Sequence, residues 1–298
     1  MKYRVLIFIF IAFGLNINAQ NKIVDSTQFK RNFYTSTNVR PVNIEKGNYL
    51  FSAQATFKKY YKAFNPQSGS VEKLSDKVVL NDAALNLTAI YGIGNKINLI
   101  AFLPIKDFHH YSPMNFSKGI GTGDITIGGN YNLLNNSANA VSLRLDFGFP
   151  TGKSANLSMQ DIPLGTGAFT SRLTAEGLHS LKKTDFIYAA YYEYRTPNSS
   201  GINIADETGI YAFFQNNFTT EYGNFGFEYG LIGNIQIPAA DISGNITAQL
   251  FIGANYAYNE NINIRLSVPY TVFQQNAFLT DYTALLQFDY LLNKNKKQ

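Results

Sequence analysis

The chain has no cysteine, no tryptophan, three histidines and three methionines, and only 15% of its residues are charged. Without cysteine there is no disulfide framework, no thiolate nucleophile, no Cys-based zinc site and no N-terminal cysteine to carry a lipid. The low charge, set against 45% hydrophobic residues, excludes a disordered chain. The 25 Lys and Arg and 20 Asp and Glu are scattered rather than striped, so no nucleic-acid partner is expected. After the first nineteen residues no stretch is long and apolar enough for a spanning helix. What the sequence holds in quantity is aromatic, with 20 Tyr and 24 Phe in 298 residues.

Lys2 and Arg4 precede an apolar run from Val5 to Phe13, followed by Gly14 and Leu15 and closing at Asn18-Ala19. A basic start, a short apolar stretch and a small closing residue is the order of a secretory signal, and the run is too short to span a bilayer. Residues 1–19 are therefore expected to be removed after Ala19. A polar extension, expected to be periplasmic, occupies 20–46, and a single β-domain fills 47–298.

From Gly47 onward the dominant period is two. Tyr49, Phe51, Ala53, Ala55 and Phe57 alternate with Leu50, Ser52, Gln54, Thr56 and Lys58. Val141, Leu143, Leu145, Phe147 and Phe149 interleave with Ser142, Arg144, Asp146 and Gly148, and Ile262, Ile264, Leu266 and Val268 with Asn263, Arg265 and Ser267. One apolar and one polar face is the mark of a strand with unlike surroundings on its two sides. Twelve strands are predicted, near 48–58, 82–93, 96–104, 124–134, 140–149, 168–181, 185–195, 208–218, 224–234, 245–258, 261–269 and 281–292.

A soluble sandwich shares this alternation, so the links must discriminate. They run long from Lys59 to Asn81, tight at Gly94-Asn95, long from Ile105 to Gly123 and short from Asn135 to Asn139, and keep that order to Asn259-Glu260. A Greek-key sandwich needs a long crossover out of phase. Strict alternation with an even strand number instead predicts an all-β fold, a transmembrane up-and-down antiparallel β-barrel with short periplasmic turns and longer outer loops. Eight of the nine prolines, Pro66, Pro104, Pro113, Pro150, Pro163, Pro197, Pro238 and Pro269, fall in or beside the long links, as residues that cannot donate to a ladder should. Tyr49, Tyr91, Tyr131, Phe225, Tyr258 and Tyr290 sit at the inner ends of apolar faces, where a lipid-interface girdle is expected.

Two motifs imitate chemistry. Gly148-Phe-Pro-Thr-Gly152-Lys153-Ser154 has three residues between its glycines where a phosphate loop needs four, and no helical pattern follows. Asp146-Phe147-Gly148 matches a kinase triplet without the other kinase elements. His109 and His110 lie close in sequence to Asp107 and Ser112, yet adjacency is not the geometry of a nucleophile and its base. No catalytic residue, cofactor or metal set is assigned, although a hydrolase reading of the loop histidines stays open.

The inward parity carries Asp124, Arg144, Asp146, Arg172, Glu176, Glu193, Arg195, Glu228, Arg265 and Asp289, with Asn98, Gln249, Asn255 and Asn263 among them. Charges of both signs either line a wet path or pair and close the lumen. The candidate lumen and selectivity residues are Asp124, Arg144, Asp146, Arg172, Glu176, Glu193, Arg195 and Arg265. Pro104, Pro150, Thr151, Gly152 and Pro269 are expected at the extracellular rim.

Gly121-Thr122-Gly123-Asp124 opening one strand, Phe149-Pro150-Thr151-Gly152 closing the next and Pro163-Leu164-Gly165-Thr166-Gly167 opening the one after resemble an outer-membrane transporter-like family labelled for the meta-pathway of phenol degradation. So does the Tyr-turn-Ile-Asn-Pro hairpin, present at Tyr91 to Ile105 and again at Tyr256 to Tyr270. The resemblance runs from about Gly47 to the last strand; the lysine-rich end, Lys294 to Gln298, departs from the aromatic terminus common in such barrels. It implies an outer-membrane channel for small solutes, aromatic or otherwise hydrophobic, in contact with the lipid bilayer and lipopolysaccharide. A structural or surface-interaction barrel with a plugged lumen is the alternative.

Overall fold

The computed structural model describes residues 44–293 except 66–69, 76–77, 113–114, 137, 153–163, 182, 199–200, 202, 221–222, 238–243, 260 and 276–277. The expected signal over 1–19, most of the extension over 20–46, Pro41, Pro66, Pro113, Pro163, Pro238 and Lys294 to Gln298 lie outside the described residues.

Among the described residues there are fourteen strands and no helix: β1 (Tyr49–Asn65), β2 (Ser70–Lys73), β3 (Val79–Gly92), β4 (Ile97–Ser112), β5 (Asn115–Thr122), β6 (Ile125–Asn135), β7 (Asn139–Phe149), β8 (Thr170–Leu181), β9 (Thr184–Arg195), β10 (Glu207–Thr220), β11 (Gly223–Gln236), β12 (Asn245–Ala257), β13 (Ile262–Gln275) and β14 (Phe278–Leu292). Each wall strand pairs antiparallel with the next, and β14 returns to β1 with Tyr49 opposite Leu292. Closure leaves no strand at the edge of the sheet, as a bilayer demands. β2 continues the line of β3 along β1, and β5 that of β6 along β4 with a break at Gly123-Asp124, so the wall is a closed barrel of twelve strands, as expected.

The period-two pattern sets the register. Along β13, Ile264, Leu266 and Val268 face out and Asn263, Arg265 and Ser267 face in; Leu266 is 53% exposed and Arg265 4%. A one-residue slip would exchange these environments, so lipid on one side fixes the pairing. At the inner end the outward aromatics stack across strands, Tyr49 on Tyr91 and Phe225 on Tyr256, each at 4.7 Å between centroids.

Several strands run further outward than the alternation indicates. β1 reaches Asn65, β4 reaches Ser112, and β13 and β14 leave only residues 276–277 between them where a long loop was expected. His109 and His110 thus lie on β4 rather than in a loop. Above the lipid both faces of a strand meet water, and the alternation fades there. The same extension corrects the expected rim. Pro150, Thr151 and Gly152 do follow the outer end of β7, but Pro104 and Pro269 are buried within strands. Proline survives there because the ladder is interrupted beside each. Pairing of β4 with β6 stops at Phe102 and with β5 resumes at Ile105, and pairing of β13 with β14 stops at Ser267 opposite Leu285.

Candidate functional site: the barrel lumen

Closing twelve alternating strands brings their polar faces together, so the lumen is where the side chains with chemistry meet. Near the inner ends of the strands they pack into a layer of hydrogen-bonded and ion-paired clusters. Arg144 and Asp146, two apart on β7 and hence on one face, pair at 2.7 Å with both side chains buried. Gly128 on β6 makes room for them, since a Cβ there would strike the Asp146 carboxylate. Glu176 accepts from Ser142 Oγ at 3.2 Å. On the facing wall Arg265 pairs with Glu228, and Asn255 Nδ2 donates to both Glu228 (2.9 Å) and Gln215 (3.0 Å). Asp289 accepts from Asn263 Nδ2 (3.1 Å) and Gln287 Nε2 (2.8 Å). Each buried charge thus has donors or an opposite charge close by, the condition for tolerating it out of bulk water.

Below this layer, Ile44 of the segment entering β1 sits inside the inner mouth. It packs with the inward residues Leu50, Ile90, Ile100 and Leu291, and its backbone N donates to Asn98 Oδ1 at 3.2 Å. A Cβ at Gly92 would overlap the Ile44 and Glu45 carbonyls, so that close approach requires glycine.

Higher on β8, β9 and β10 a second network forms. Glu193 is held by Arg172 Nε and Arg195 Nε, each at 2.6 Å, and Arg195 reaches on to Glu207 at 2.8 Å. Tyr191 OH donates to Glu207, with the Asn234 side-chain amide 3.1 Å from the same oxygen, and the Arg172 guanidinium lies over its ring at 4.6 Å. The Arg172 side chain is 39% exposed, against 9% for Glu193.

Asp124 has the expected inward parity but its oxygens are taken. Oδ1 accepts from Gly152 N (3.0 Å), and Oδ2 accepts from Thr166 N (2.6 Å) and Thr166 Oγ1 (2.9 Å). Thr151 Oγ1 accepts from Ile125 N and donates to Gly123 O. The three glycine-rich motifs are therefore one knot at the outer mouth, with Asp124 as its fastener and Lys106 Nζ bonded to the Leu164 carbonyl beside it.

Between the inner layer and the outer mouth lies a chamber of about 490 Å³. Phe108, Tyr211, Phe213 and Phe251 give it aromatic walls, and Lys58, Asp82, Lys106 and Arg265 bring charge. The Arg265 guanidinium carbon sits 5.2 Å from the Phe251 ring centroid and 5.8 Å from that of Phe213. Asp82 accepts from Tyr60 OH (2.6 Å) and meets His110 Nε2 (2.8 Å), while His109 meets Asp107 at the surface. Among the described residues these histidines belong to no cluster of three metal ligands.

Sequence reasoning missed Asp185, Glu207, Gln215 and the aromatic chamber walls. Parity alone would have found Asp185, which is eight residues before Glu193 on the same face of β9. The inward Tyr211 and Phe213 are harder, because Ile210, Ala212 and Phe214 on the other face of β10 are apolar too.

A closed barrel with an apolar outer surface and a polar, ion-paired interior is a transmembrane barrel of the bacterial outer membrane. The family described as "Putative MetA-pathway of phenol degradation" matches residues 83–285, and the chain belongs to it. An outer membrane channel from Pseudomonas putida F1 shares the fold with a TM-score of 0.67 at 14% identity, over 84% of this chain and 97% of that one. The β domain of the Bordetella autotransporter BrkA (TM-score 0.48, 10% identity, 81% and 98% covered) and the CymD monoaromatic hydrocarbon channel (0.44, 10%, 93% and 93%) are more distant. No curated protein matches the chain in sequence.

Proposed function

We propose that this barrel is a channel for passive uptake of small aromatic or otherwise hydrophobic solutes, and not an enzyme. The observation that carries the reading is the chamber, whose size and mixed aromatic and polar walls suit one small organic molecule. Membership of a family described by phenol degradation, and likeness in fold to an outer membrane channel, support it. Arg265, held by the buried Glu228 behind it, forms the chamber floor, Arg144 with Asp146 and Glu176 help close the way below, and the Arg172–Glu193–Arg195 network faces the solute higher up. The outer surface contacts lipid, with lipopolysaccharide around the outer half.

The buried inner layer favours one alternative, a barrel whose plugged lumen serves a structural or surface role. Swelling of liposomes containing the protein in isotonic solutions of small solutes separates the two. Swelling above protein-free liposomes supports the channel, and none, with folding verified by heat-modifiable gel mobility, supports the plugged barrel.

A further inference from the structure

The chamber has a surplus of hydrogen-bond donors. Both oxygens of Asp82, its one carboxylate, are engaged by Tyr60 and His110, and the Lys106 ammonium is engaged by the Leu164 carbonyl. Lys58, half-buried in the wall on β1, stands opposite Asp82 across the β1–β3 ladder and feels its charge, but no hydrogen bond or contact ion pair is formed between them, since both Asp82 oxygens are already engaged. An ammonium can only donate, so what Lys58 lacks is an acceptor. Beside it stand the rings of Phe108, Phe213 and Phe251, which prefer a flat apolar partner at stacking or edge distance.

We propose that the chamber binds a single-ring aromatic anion, with the ring among Phe108, Phe213 and Phe251 and the carboxylate at Lys58. This builds on the channel reading by assigning the class of solute. A neutral aromatic would leave Lys58 without an acceptor, and a small aliphatic anion would leave the aromatic walls uncovered. Selectivity then arises from needing both halves of the molecule at once.

Titration calorimetry of the detergent-solubilised full chain with benzoate, benzyl alcohol and acetate tests this. Benzoate is expected to bind about tenfold or more tighter than either of the others, the ratio a charge-assisted hydrogen bond gives. K58Q should narrow the benzoate to benzyl alcohol ratio by about tenfold, K58R should restore it, and F251A should weaken both ligands. Equal affinity of the wild-type protein for benzoate and benzyl alcohol would overturn the assignment without recourse to any variant, and so would an unchanged ratio in a folded K58Q. The channel reading fails separately. Selective benzoate binding with no solute passage in liposomes keeps the site and removes the channel, whereas passage with no preference for benzoate does the reverse.

Discussion

Replacing Arg265 with alanine removes the cation from the chamber floor and leaves Glu228, fully buried, with Asn255 as a neutral donor. Two unit charges about 4 Å apart at an effective dielectric of about 20 attract by about 4 kcal/mol, and breaking a buried pair by removing one member costs about 3–5 kcal/mol. Arg265→Ala is therefore expected to destabilise the barrel by about 3 kcal/mol or more in urea unfolding from lipid vesicles. Glu228→Gln should cost a similar amount, and the double variant should cost clearly less than the sum, since the two act as a unit. The pair Arg265→Met with Glu228→Leu, which replaces both charges by apolar side chains, should come within about 1 kcal/mol of wild type. Single-channel recording of Arg265→Ala should show larger current, because the truncated side chain widens the floor between chamber and inner layer. Were Arg265 in the lipid instead, its removal would stabilise the barrel by about 2–4 kcal/mol near the bilayer midplane. Stabilisation, or strict additivity of the two single variants, would refute the buried pair and with it the register of β13.

Arg172→Ala should cost about 1 kcal/mol or less, since that guanidinium is substantially exposed and its ion pair is screened, whereas Arg144→Ala should cost about 3 kcal/mol or more; the same unfolding assay compares them. Asp124→Ala removes the acceptor for three donors and should lower stability by about 1–3 kcal/mol while raising the rate of limited proteolysis between Pro150 and Gly167. A protease added to intact cells should cut the links after β1 and β7 and spare the turn between Ala257 and Ile262; cleavage confined to that turn would invert the topology. Amide exchange should be faster over Val268 to Gln275 of β13 than over Ile262 to Ser267, because only the latter pairs on both edges.

The barrel wall was legible because lipid and lumen impose opposite demands on neighbouring residues. In β7 the outward Leu143, Leu145 and Phe147 and the inward Ser142, Arg144 and Asp146 leave one register possible. The signal fails where that contrast ends. Beyond Ile105, β4 reads Lys106, Asp107, Phe108, His109, His110, with polar residues on both faces, and nothing local says that the strand continues. Only pairing with β3, distant in sequence at this end, and with β5, which follows it in the chain, holds it extended.

Within the lumen, what was legible depended on the span of each contact. Arg144 and Asp146 are two apart on one strand, so parity alone puts them side by side. Arg265 and Glu228 stand 37 apart, on β13 and β11 with β12 between, and their meeting requires the strand tilt and register of the assembled wall. Asp124 shows the converse. Alternation gives it inward parity, but its role turns on backbone amides of Gly152 and Thr166 folded back from the next outer link, donors that carry no side-chain signature. A carboxylate on the inward face therefore serves as a selectivity group only if the chain offers it no nearer donor. Glu193, held between two arginines, keeps an ionic environment open to the lumen through the exposed Arg172. The loop amides instead divert Asp124 into holding the outer mouth, and under the channel reading proposed above the control of charge falls to Lys58 and Arg265 in the chamber below it.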